Sequence, residues 1–171
     1  MRTPVQRIVV TAALAAASIV LGGCPPRSIL IQGLGDVRKQ SIRVDVVGVS
    51  PLERPQWEEA SMQEYWSEAN NQRRRDAGEL GYLGLWTFEP GKNPEVVIKE
   101  NEKIWQAWQE RGATHFLVMF DTCTDAKKWR LCLPLAKKCW KGSTEDNTIH
   151  VLIQPSGVVP KRAPSPKAAC Q

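Results

Sequence analysis

Ile42-Arg43-Val44-Asp45-Val46-Val47-Gly48-Val49 is the stretch on which the reading of this chain turns. Ile42, Val44 and Val46 alternate with Arg43 and Asp45, the period of two that a half-buried β-strand imposes. Pro51 and Pro55 close it. The same texture recurs downstream. Gly78, Gly81 and Gly84 punctuate the approach to a second strand at 83–88, and Pro90-Gly91 reads as a turn. Residues 95–98 form a short apolar run suited to an edge strand. His115 to Phe120 is almost wholly apolar, as a central strand covered on both faces is. Residues 129–133 alternate again before Pro134, and Asn147 introduces a last strand at 149–153.

Two helical segments interrupt these strands. In 56–75, Pro55 suits a first helical turn and Ser61-Met62-Gln63-Glu64 has the spacing of a capping box. Trp57, Met62, Tyr65 and Trp66 supply an apolar face there, and Asn70-Asn71 marks its expected end. In 101–111, Asn101 is placed to cap, Ile104, Trp105 and Trp108 share a side, and Gly112 sits where a left-handed stop belongs. Five or six short strands with helical insertions predict a mainly β domain, an antiparallel β-sandwich. An α+β two-layer arrangement is the alternative.

Both flanks read differently. Arg2 and Arg7 precede an apolar run from Ile8 to Leu21, too short for a bilayer-spanning helix and matched to the core of a secretory signal peptide. It ends in Leu21-Gly22-Gly23-Cys24, which resembles the lipobox of bacterial lipoproteins. The resemblance implies a signal peptide over 1–23, cleavage before Cys24, diacylation of its thiol and acylation of the new amine. Two or more acyl chains hold a protein stably on a membrane where one holds it marginally. Residues 24–40, with Pro25, Pro26, Gly33 and Gly35, read as a tether. The globular domain is expected over 41–154. Residues 155–171, with four prolines among Ser, Lys and Ala, read as a basic tail without packed structure.

Removing the signal leaves 148 residues, the size of one domain with a single core. It also removes two of the 23 basic residues and none of the 18 acidic ones, so the mature net charge is +3. So mild a balance does not call for nucleic acid, though it allows weak attraction to anionic headgroups or envelope polymers. Besides Cys24 there are Cys123, Cys132, Cys139 and Cys170. An even count in an oxidising compartment favours disulfides, with three pairings open. Cys123 and Cys132 flank an expected turn and are one candidate pair. A metal site is the competing reading, weakened because no Cys-x-x-Cys pair occurs.

The catalytic inventory is thin. His115 and His150 are embedded in apolar strands, and neither a Gly-x-Ser-x-Gly elbow, a phosphate loop, a dinucleotide glycine pattern nor His-Glu-x-x-His is present. The reading is non-enzymatic, with no cofactor. Seven tryptophans fill a core or, in part, anchor a partner. Trp57 and the run Arg73-Arg74-Arg75 are the candidate partner contacts. A tryptophan-lined cleft for a glycan or small ligand is the alternative function.

One further resemblance rests on the order of the elements. A lipobox, a Val-rich first strand at 42–49, Pro90-Gly91 before a helix, the apolar strand 115–120, then a polar turn into Trp129-Arg130 resemble the outer-membrane lipoprotein of the type VI secretion membrane complex. The resemblance covers 42–133 and implies a transthyretin-like sandwich. It implies a location on the periplasmic face of the outer membrane and a scaffolding role. It also implies contact between the loop after the first strand and an inner-membrane partner protein of the secretion complex. The insertion at 57–75 and the four additional cysteines depart from the family pattern.

Overall fold

In the computed structural model, which describes residues 27–67, 69, 71–121, 129–140 and 147–167, the 42–49 stretch is paired on both sides. The strands among the described residues are β1 (Ser28–Gly33), β2 (Ile42–Val49), β3 (Leu83–Phe88), β4 (Glu95–Lys99), β5 (His115–Phe120), β6 (Arg130–Pro134), β7 (Thr148–Gln154) and β8 (Gly157–Pro160). They form two four-stranded sheets, one ordered β4-β1-β7-β8 and the other β3-β2-β5-β6. The sandwich expected from the sequence is therefore present. Every pairing is antiparallel except β1 with β7, which run parallel from Ser28↔Thr148 to Gly33↔Ile153.

That parallel pair corrects the tether. Ile29 and Ile31 are fully buried between β4 and β7, and the Gly35–Lys39 segment is a 3-10 turn that buries Val37. The flanking prolines and glycines of 24–40 disguise a strand whose own alternation, Ile29 and Ile31 between Leu30 and Gln32, is regular. The loose tail is corrected as well. β8 adds an edge strand to the first sheet, burying Val158, with Pro160 at its last position where a missing N–H is tolerated. Ser165 then donates its backbone N–H to the Cys139 carbonyl at 2.7 Å.

The inner faces meet in one core. Ile29, Ile31, Ile98, Val151 and Ile153 come from the first sheet, and Val44, Val46, Phe116, Val118 and Phe120 from the second. The helix α4 (Lys103–Glu110) lies between β4 and β2, with Trp105 and Trp108 wholly buried. Gly112, at φ 68°, stops it as expected, whereas Asn101 is not its cap; Glu102 holds that position with no side-chain hydrogen bond. Trp108 donates its indole N–H to the Tyr82 carbonyl at 2.7 Å. The ring lies so close to β2 that a Cβ at Gly48 would stand 2.3 Å from Trp108 Cγ. Glycine at 48 is thus a requirement of packing, not of backbone conformation.

Gly48→Ala is therefore expected to destabilise the domain by about 3 kcal/mol, the upper range for overpacking a filled core. Chemical denaturation of the two proteins checks this.

Candidate functional site

The outer face of the β3-β2-β5-β6 sheet is covered. Between β2 and β3 the chain forms three short helices: α1 (Arg54–Glu59), α2 (Met62–Trp66) and α3 (Gln72–Glu79). The apolar face read from the sequence packs as expected, with Trp57, Met62, Tyr65 and Trp66 all buried. The Ser61 hydroxyl accepts from the Glu64 N–H at 3.3 Å, completing half of the capping box. β2 is consequently buried on both faces, not half-buried as its alternation suggests.

Asp45 lies under this layer with none of its surface exposed. A carboxylate so placed must be paired and hydrogen-bonded. The Tyr65 hydroxyl donates to Asp45 Oδ2 at 2.7 Å, and the Arg74 guanidinium donates from Nε at 2.6 Å and from Nη2 at 3.2 Å. Burial pushes the Asp45 carboxyl above the usual carboxylate range, against the pull of Arg74 and Tyr65. Burial also lifts the Tyr65 phenol, with Asp45 adding to the effect, so Tyr65 remains a donor. Trp66 is flanked by two guanidiniums, Arg43 at 5.2 Å and Arg74 at 5.1 Å from its ring centroid.

A second polar staple holds α1. Arg130, on β6, donates to the carbonyls of Trp57 (3.0 Å) and Ala60 (2.6 Å). Next to it Cys132 is a free thiol beside Glu58. Burial first, then Glu58, pushes that thiol up to about 12, so it stays protonated and is no nucleophile at neutral pH. Arg54 reaches His115 Nε2 at 3.3 Å, and Thr114 Oγ1 lies 2.9 Å from Nδ1. A guanidinium only donates, so Nε2 carries the lone pair and Nδ1 the proton. Cys132, Glu58, Arg54 and His115 thus satisfy one another.

The candidate residues separate. Trp57 is core, with Arg73 stacked 5.5 Å from its ring centroid, and is not a surface anchor. Arg74 turns inward to Asp45. Arg73 and Arg75 are exposed, Arg73 donating to the Gln56 carbonyl and Arg75 to Asn71 Oδ1 at 3.1 Å. Leu52, Leu80 and Leu85 are exposed on or beside the same layer, Leu52 at 88%. A polar cleft of about 400 Å³ opens among Gln56, Glu59, Ser61, Glu64, Asn71 and Arg73. It has no tryptophan in its wall. A second, of about 280 Å³, is bordered by Trp129 alone of the seven. Cys24, Cys123 and Cys170 lie outside the described residues. Cys132 stands free, so it forms no bridge with Cys123, while the fully buried Cys139 is disulfide-bonded.

Sequence reasoning missed the Asp45, Tyr65 and Arg74 cluster and, separately, the Arg54, Glu58, His115 and Cys132 set beside Arg130. The available signal was an acidic residue inside a strong strand followed by an insertion carrying three arginines.

No protein-family model matches the chain, and no curated protein matches it by sequence. Solved structures do match by fold. A chain described as "Type VI membrane complex" superposes with a TM-score of 0.53 and 12% identity, over 81% of this chain and 98% of that one. The structure of Serratia marcescens Lip, a membrane bound component of the Type VI Secretion System, gives a TM-score of 0.48 and 18% identity, over 81% and 96%. At 12% identity the likeness to the type VI membrane complex chain is one of fold alone.

Arg74→Met is expected to destabilise the domain by about 3 kcal/mol at neutral pH, because it strands a buried carboxylate. The loss has a sign in pH. With its folded-state pKa raised above the unfolded value, Asp45 binds its proton more tightly in the native state. The penalty is thus full above the folded pKa and shrinks as pH falls through it. Unfolding free energies of Arg74→Met and the parent across the acidic range test this; a difference that grows towards low pH contradicts it.

Proposed function

We propose that this chain is a lipid-anchored, non-enzymatic assembly component of an envelope complex, of the type VI secretion kind. The observation that carries the reading is the fold, which superposes on nearly the whole of a chain described as part of a type VI membrane complex. Three features of the chain support it. The lipobox-like Leu21-Gly22-Gly23-Cys24 supplies an export signal over 1–23 and an acylation site at Cys24. The disulfide at Cys139 suits an oxidising compartment. The β2–β3 insertion offers a rigid partner surface in which exposed Arg73 sits over buried Trp57 and exposed Arg75 lies on the same helix, with Leu52 and Leu80 at its margins.

In this reading the lipoprotein faces the periplasm from the outer membrane. Its helical layer meets the periplasmic portion of an inner-membrane protein of the complex. Because Trp57 is buried, the arginines and the exposed leucines make the contact, and Trp57 supports Arg73 from beneath. The Asp45 pair holds the layer in one position and so presents a fixed surface.

Affinity capture from gently solubilised envelopes, with the acylated protein as bait, tests the proposal. It is expected to recover an inner-membrane component of the secretion apparatus, and Arg73→Glu with Arg75→Glu is expected to lower that recovery at least about tenfold, as loss of a 1.4 kcal/mol contact would. Recovery of lipid and cell-wall fragments alone, or capture unchanged by both reversals, contradicts it.

A further inference from the structure

We propose that the end of the sandwich where β1 begins rests against anionic phospholipid of the bilayer that holds acylated Cys24. The inference deepens the lipid-anchor reading above and rests on it. Chain length forces the proximity. Cys24 is three residues from Arg27, and three fully extended residues reach at most about 11 Å. No slack tether intervenes, because the 28–33 segment is already a strand of the first sheet, flanked by β4 and β7.

Arg27 fixes which surface this is. It donates to Glu100 Oε1 at 2.6 Å and to the Leu135 carbonyl at 2.8 Å, and its own carbonyl accepts from the Glu100 N–H at 2.8 Å. These bonds gather the segment just after β4 and the turn after β6 around the residue that leads into β1. Lys99 pairs opposite Ser28, and Lys103 opens α4. Lys137 and Lys138 stand in the 3-10 turn that follows Leu135. Lys161 and Arg162 follow β8, the Lys161 N–H donating to the His150 carbonyl two positions from Thr148, the partner of Ser28.

All six cations are exposed, and none makes an ion pair with a described residue. The carboxylates here among the described residues are Glu102 and Glu100, the latter already held by Arg27. At the far end of the same sheet the pattern differs: Lys39 is tied to Asp36 at 2.8 Å and Lys92 to Glu89 at 2.5 Å. A gap of this reach is comparable with the screening length of about 8 Å at physiological salt, so unpaired lysines there feel a charged membrane surface.

The test is lysine acetylation, read by mass spectrometry, on the full mature protein in phosphatidylcholine vesicles with and without phosphatidylglycerol. Lys99, Lys103, Lys137 and Lys138 are expected to label about fivefold more slowly on the anionic vesicles, the fold-change of ~1 kcal/mol per lysine near an anionic surface. High salt is expected to restore the rates, and Lys39 and Lys92 to label alike on both. Equal labelling of the first group on the two vesicles, or slowing confined to Lys39 and Lys92, overturns the proposal. The mass of the N-terminal peptide from the same sample reports acylation separately. A lipid-free peptide with slowed Lys137 and Lys138 removes the anchor and keeps the basic end. A lipidated peptide without slowing keeps the anchor and removes the basic end.

Discussion

A carboxylate with none of its surface in water constrains everything laid over it. Asp45 sits in the middle of β2, in a strand whose other polar side chain is Arg43, and its oxygens are met by Tyr65 and Arg74 from two different helices. Desolvation of such a group is offset only by close, well-directed partners. The pair therefore fixes where α2 and α3 lie on the sheet, and with them the exposed Arg73 and Arg75. Arg130 does the same for α1 through two backbone carbonyls. An apolar layer could slide over an apolar sheet at small cost. These polar contacts specify one position, which is the better-attested use of buried ion pairs.

Much of the architecture was legible because alternation survives composition. The 42–49, 83–88, 115–120 and 129–133 readings fall on β2, β3, β5 and β6, and they define the second sheet almost completely. The first sheet was half-hidden. β1 lies between Pro26 and Gly33-Gly35, and β8 lies in a segment with prolines at 155, 160, 164 and 166. There, linker-like composition outweighed two short regular strands, and each needed a partner far along the chain to become stable. β1 finds its partners about 70 and 120 residues away, separations no local rule anticipates.

The site was less legible than the fold. The alternation of Arg43 and Asp45 reads as a solvent face, and only the insertion that covers it makes Asp45 buried. The arginine run looked like a uniform solvated patch, yet one member points inward and two point out, as helical spacing of about 100° per residue requires. Of the seven tryptophans, four are buried and three half-buried, so they act in packing and not as a ligand-binding row. Anchor and docking surface thus separate on the molecule. The lipid attachment proposed at Cys24 leads straight into the first sheet, while the surface proposed for a partner lies on the outer face of the second.

The 54–79 layer and the sandwich form one cooperative unit, joined through Asp45. Native-state amide hydrogen exchange tests it most directly, because it assigns an opening free energy to each segment. Amides of α2 and α3 are expected to open only together with those of β2 and β5, at the free energy of global unfolding. Exchange of α2 and α3 through a separate, low-energy opening that leaves β2 and β5 protected would contradict it.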